Sequence, residues 1–240
     1  SLSFNTGTAV QGAANIISTE DGSASVSDSL GNLLFYTDGH LVVNKNHQVM
    51  ENGTGLKGDA FQNSVIVKRP GSKRYYYIFT VDGSEAIAGN PHDGAMYNLI
   101  DMEANGGSGK VIQKNIPLFK GNLASSCITS VLHYNLKDVW VITEIFNNDN
   151  YTYNSYLVTG NSVTLVKENI VQKSYPGNWS SNWDVVKVSP DGTKFFSSNV
   201  GISSDMFLGS FDPKTGQIVR KSPLLISLPP VYLPGIQVFT

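Results

Sequence analysis

Apolar and polar positions alternate along this chain in short runs, and no apolar face at the helical spacing persists over three turns. The runs are rich in β-branched and aromatic residues and are bounded by Gly, Asn, Asp and Pro, the pattern of strands and tight turns. One unit, "SASVSDSLGNLLFYTDG" (residues 23–39), sets out a strand, a turn and a second, more aromatic strand. Three relatives follow it: "QNSVIVKRPGSKRYYYIFTVDG", "CITSVLHYNLKDVWVITEIF" and "WDVVKVSPDGTKFFSSNVG". Their turns centre near Gly31, Gly71, Leu136 and Gly192, at spacings of 40, 65 and 56 residues.

Two more strands follow each pair. They are "AMYNLIDM" and "KVIQKNIPLF" in the second unit, "YNSYLVT" and "SVTLVKENIV" in the third, and "DMFLGSFD" and "GQIVRKSPLLI" in the fourth. The first unit is less regular, with "HLVVNKN" and "HQVM" as its outer part. Four strands recurring at intervals of about 50 residues is the period of a β-propeller blade. The expectation is therefore an all-β chain forming a single incomplete β-propeller. Its four four-stranded blades lie approximately at 16–56, 62–119, 123–171 and 182–228, and "PGIQVFT" (234–240) starts a fifth. A β-sandwich is the competing architecture, since it too is built from short strands and turns. Recurrence of a whole four-strand unit favours the propeller. Four blades and one strand leave sheet edges open, so the chain is expected to be a fragment of a larger ring of about seven blades. The N-terminal "LSFNTGTAVQ" is suited to completing a last blade.

Composition acts mainly by exclusion. Only 15% of the 240 residues are charged, while 23 Gly, 10 Pro, 11 Tyr and 11 Phe fit a turn-rich β fold rather than a coiled coil or a disordered chain. A net charge of −2 and scattered Lys and Arg leave no basic footprint for nucleic acid or an anionic membrane surface. No apolar run approaches the ~20 residues of a membrane span. The single cysteine, Cys127, excludes an internal disulfide and a cysteine-based metal cluster. Within "ASSCITSVLHY" it reads as a small buried hydrophobe rather than a nucleophile.

Candidate chemistry is sparse. Asp38-Gly39, Asp82-Gly83, Asp191-Gly192 and Asn52-Gly53 are turn signals, because Gly accepts positive φ and Asp or Asn caps its own turn. Glu20, Asp21 and Asp28 in "TEDGSASVSD" lack the residue order of a calcium loop. "SDSLGNLLF" and "SPDGTKFF" each miss the spacing of a sialidase-type Asp-box by one residue. Three arginines in all, Arg69, Arg74 and Arg220, are few for clamping a substrate carboxylate. His40, His47, His92 and His133 stand outside any metal-motif spacing, and neither G-x-S-x-G nor a phosphate-binding glycine loop occurs. Neither a metal nor a cofactor is expected.

Loop length points to one face. The turns inside the strand pairs are short, whereas "DGSEAIAGNPHDG", "FNNDNYT" and "QKSYPGNWSSNW" are longer and richer in aromatics. Function concentrates on such loops. Trp179, Trp183, Tyr151 and Tyr175 lie there among Asn147, Asn148, Asp149 and Asn178, flat apolar faces beside amide hydrogen-bonders that suit a neutral sugar or a peptide. His92 and Asp93 complete this candidate ligand face. Trp183 adjoins a predicted inner strand and equally fits a plug between blades.

The stretches "GNLLFYTDGHLVVNKNHQVMENGTGL", "SVIVKRPGSKRYYYIFTVD", "YNLIDMEANGGSGKVIQKNIPL" and "VVKVSPDGTKFF" resemble the WD40-like propeller region of secreted Bacteroidota surface proteins. In that family PKD or immunoglobulin-like modules and a sorting domain read by the type IX secretion system follow the propeller, and some members are associated with gliding motility. The resemblance spans most of the chain, but this chain has "HLVVN" where the family often has an aromatic. It implies export to the bacterial cell surface and brings no catalytic residues with it. The resulting expectation is a non-catalytic extracellular binding, adhesion or display module. Its partners would be a cell-surface glycan or protein and the remainder of its own longer chain, without nucleic acid or membrane insertion. Two alternatives stay open: a propeller-type glycosidase or lyase completed by further blades, and a structural spacer of a surface filament.

Overall fold

The computed structural model describes residues 2–3, 7–8, 10–11, 16–17, 22–58, 62–82, 94–119, 124–146, 150–172, 185–199 and 205–223. Strands β1 (Leu2–Ser3) and β2 (Val10–Gln11) pair antiparallel with each other. The segment expected to complete a last blade thus carries its own short ladder.

Four antiparallel meanders follow, each of four strands paired in chain order. The first is β3 (Ala24–Ser27), β4 (Leu33–Thr37), β5 (Leu41–Asn44) and β6 (Val49–Thr54). The second is β7 (Ser64–Lys68), β8 (Tyr75–Asp82), β9 (Gly94–Asp101) and β10 (Lys110–Phe119). The third is β11 (Ala124–Leu132), β12 (Val139–Phe146), β13 (Asn150–Val158) and β14 (Val163–Gln172). The fourth is β15 (Val185–Val188), β16 (Lys194–Asn199), β17 (Asp205–Asp212) and β18 (Gln217–Pro223). A parallel pairing of Lys110 with Glu51 joins β10 to β6, so the first two meanders form one eight-stranded sheet beside two four-stranded ones. The Lys110 and Glu51 side chains meet at 2.6 Å over this junction. The protein is all-β, as the alternation of its sequence predicts. The expected fifth-unit strand at 234–240 lies outside the described residues.

Period-two alternation decides which sheet packs on which, because successive strand side chains point to opposite faces. On β8, Tyr76 and Ile78 join Phe35, Val42, Met50 and Leu56 of the first meander. Tyr77, Phe79 and Val81, on the other face of β8, pack on Ile128, Val141, Tyr156 and Val158 of the third. Trp140, Ile142, Tyr151 and Tyr153 then face Val186, Phe195, Phe207, Phe211 and Ile218 of the fourth. The two central meanders therefore bury both faces, each against a different meander. A two-layer sandwich would bury only one face of each strand.

The junction of the third and fourth meanders combines aromatic packing with long-range hydrogen bonds. Tyr153 meets Phe195 edge-on, with ring centroids 4.9 Å apart. Trp140 Nε1 donates to the Pro213 carbonyl at 2.8 Å, and Ser155 Oγ donates to the Gly216 carbonyl at 2.8 Å. Asn169 closes the arrangement by donating to the same carbonyl and accepting from the Ile218 amide at 2.9 Å.

The four expected turns share one backbone conformation. Gly31, Gly71, Leu136 and Gly192 all have positive φ, at 83°, 76°, 56° and 69°. Glycine adopts this left-handed region at no steric cost, whereas a residue with a side chain loses roughly 1–2 kcal/mol there. Leu136 therefore holds a strained position that its three counterparts fill with glycine.

Candidate functional site

The first strand of each meander starts at one common end of the sheets. Gln62, just before β7, forms a parallel bridge with Cys127 on β11, and its Oε1 accepts the Val186 amide of β15 at 3.3 Å. Three meanders thus converge on one residue. The second strands carry buried polar residues in their halves nearer this end: Thr37 on β4, Thr80 and Asp82 on β8, Thr143 and Glu144 on β12, and Ser197 and Ser198 on β16.

Glu144 is the most consequential of these. Alternation places it on the same face as Ile142, toward the fourth meander, and it is only 1% exposed. The Cys127 thiol, fully buried, lies 3.1 Å from its Oε2 and donates to it. On the neighbouring strand the Tyr153 hydroxyl donates to Ser197 Oγ at 2.9 Å. Burial first, and the nearby Glu144 charge second, push this hydroxyl well above its ordinary value, so it stays a hydrogen-bond donor at neutral pH. A carboxyl, a thiol and a phenol are thereby gathered where three meanders meet.

A second polar group lies between the first two meanders. Gly39 and Gly58 touch backbone to backbone: a Cβ on Gly39 would fall 2.6 Å from the Gly58 carbonyl oxygen and 2.9 Å from Asn63 Nδ2. Asn63 Nδ2 donates to the Asp38 carbonyl at 2.6 Å. Asn63 Oδ1, Ser64 Oγ and Thr80 Oγ1 here, and Thr143 Oγ1 on the face of the third meander toward the second, are buried and have no hydrogen-bond partner among the described residues. Ser64 and Thr80 are cross-strand partners on the face toward the first meander. Each such atom carries a desolvation cost of about 1–3 kcal/mol unless something polar meets it.

Of the residues expected to form the ligand face, Trp179, Trp183, Tyr175, Asn147, Asn148, Asp149, Asn178, His92 and Asp93 lie outside the described residues. Tyr151 is described, and it is 5% exposed, stacked on Tyr153 in the core between the third and fourth meanders. Cys127 is buried as its neighbours predict, and in addition it faces a carboxyl. Glu144 was missed, although a signal existed: in "VWVITEIF" a charged residue occupies the inward register of an apolar strand. Two of the described histidines serve local structure. His47 Nδ1 lies 3.0 Å from Tyr36 Oη, and His133 Nδ1 accepts the Asn135 amide at 3.1 Å. Asp28, a calcium candidate by composition, spends its carboxylate on its own turn, accepting from the Leu30 and Asn32 amides at 2.9 Å.

No family model and no curated protein matches the chain. A solved structure similar to it is that of a "putative 6-phosphogluconolactonase" from Bacteroides uniformis, at 15% identity and a TM-score of 0.42, over 78% of this chain. The matched part spans 55% of that protein's length. The expectation of a non-catalytic binding, adhesion or display module finds no support in this comparison and is withdrawn. At this identity the likeness assigns no activity to the chain.

Proposed function

We propose that the four meanders are blades of a β-propeller, with β3, β7, β11 and β15 innermost. In this reading the end where these strands begin binds and acts on a small, neutral, hydroxyl-bearing molecule, with Glu144 as the acid–base group. Support for the radial arrangement is the order of neighbours, in which β7 lies beside β3 and β11 lies beside both β7 and β15. The observation that carries the functional reading is the buried Glu144–Cys127 pair, with further unpartnered hydroxyl and amide oxygens buried between other meanders. Buried polar atoms of this kind are met by water or ligand. Hydroxyls and amides suit a sugar-like molecule, whereas an anion would face the carboxyls of Glu144 and Asp82. The sequence resemblance supports export of the protein, which fractionation of the source cells tests.

The experiment is calorimetric titration with a panel of monosaccharides and methyl glycosides, paired with turnover of 4-nitrophenyl glycosides. At least one sugar should bind, and Glu144→Gln should keep binding while turnover falls about 100-fold or more. A folded protein that binds no member of the panel, or Glu144→Gln turning over at the wild-type rate, refutes the reading.

A further inference from the structure

At the opposite end of the same strands a groove of about 580 Å³ runs between the β7–β8 and β11–β12 hairpins. Leu132 and Leu136 form apolar lining and Arg69 and Lys137 cationic lining, whereas the Lys68 ammonium lies over the Tyr76 ring on the opposite sheet face. No carboxylate is among the lining residues. Arg69 is held in place, its Nε donating to the Gly160 carbonyl at 2.7 Å and its guanidinium lying over Tyr75 at 5.5 Å.

Leu136 separates this groove from ordinary surface relief. It is 78% exposed, and Leu132 is 47% exposed, so neither is there to fill the core. Leu136 also occupies the left-handed turn position that the other three meanders give to glycine. A strained, exposed leucine at the mouth of a cationic groove costs folding stability and returns nothing to the fold; such strain collects at functional positions.

We propose that this groove docks a short acidic peptide segment, with a large apolar side chain seated on Leu132 and Leu136 and a neighbouring carboxylate met by Arg69 and Lys137. The apolar floor and the one-signed cationic lining match those two groups, and the volume is that of a site for a few side chains.

Selection of a random heptapeptide display library on the protein tests this, followed by titration of the enriched peptide carrying a fluorescent label. Enriched sequences should place Asp or Glu beside Leu, Ile, Phe or Trp. Leu136→Gly should weaken the labelled peptide about tenfold while melting at or above the wild-type temperature. Lys137→Glu, at an exposed position, should weaken it at least as much, and the loss should grow smaller in high salt. Failure to enrich, a basic or neutral consensus, or binding that survives both substitutions overturns the proposal. So does displacement of the peptide by dodecanoate combined with equal binding of a peptide whose acidic residues are amidated, since the groove would then take a lipid-like carboxylate.

Discussion

The two ends of these sheets are built from the same strands and solve opposite problems. At the turn end, short hairpins satisfy their own polar groups. Asp28 accepts two amides of its turn, Asp191 binds Thr193 and Ser189, and Asp212 binds the Lys214 amide and the Thr215 hydroxyl. At the strand-start end, polar groups are buried between sheets and depend on residues far away in sequence: Gln62 reaches Val186 across 124 residues, and Glu144 meets Cys127. Local polar satisfaction makes a robust edge, whereas buried polar atoms without a partner carry a cost that nothing in their own turn offsets.

The largest effect should come from cutting the tie that the turn end makes between sheets. Trp140 is 1% exposed and holds the Pro213 carbonyl, so Trp140→Ala should cost about 3–5 kcal/mol in urea denaturation. A loss under about 1 kcal/mol would show that the third and fourth meanders are held together elsewhere.

At the other end, Thr80→Val replaces an unpartnered hydroxyl by a methyl of similar size. It should raise stability by about 1 kcal/mol in the absence of ligand and reduce any ligand-induced rise in melting temperature. A drop in stability would mean that Thr80 Oγ1 is already satisfied in the free protein.

Leu136→Gly should stabilise the fold by up to about 1 kcal/mol, because it relieves a left-handed leucine. The reciprocal change, Gly31→Leu, should destabilise by a similar amount in thermal melts. Equal melting temperatures for all three proteins would dissolve the distinction drawn between these turns.

The smallest effect is that of acid. Asp28, Asp191 and Asp212 are held below their ordinary 3.8 by hydrogen bonds from their own turns, and Asp101 by the paired Arg74 guanidinium. A carboxyl whose folded value is depressed contributes stability that is fully present above 3.8 and lost as pH falls below it. Melting temperature should therefore be flat from neutral pH down to about pH 5, then fall by a few degrees. Asp101→Asn should flatten that fall. An unchanged acid profile would show that these turns add nothing to stability.

Much of the turn end is legible from sequence, because its causes are local. An Asp or Asn accepts amides two to four residues away, and a glycine supplies positive φ within the same turn, so "SLGN", "RPGSKR" and "PDGT" announce themselves. The site is less legible. Glu144 could be flagged by its inward register, but nothing near it in sequence names Cys127, Tyr153 and Ser197 as its surroundings. Tyr151 shows the converse error, since an aromatic beside an Asn-rich stretch looks like a ligand platform until the fourth meander is laid over it.

By itself the sequence determined the strands, their turns and the alternation of their faces, since each depends on residues within a few positions. Only the tertiary structure decided which face meets which sheet, and thus which polar atoms lose water without gaining a partner. That outcome rests on contacts between meanders tens of residues apart, where the transfer of each side chain from solvent depends on what lies opposite.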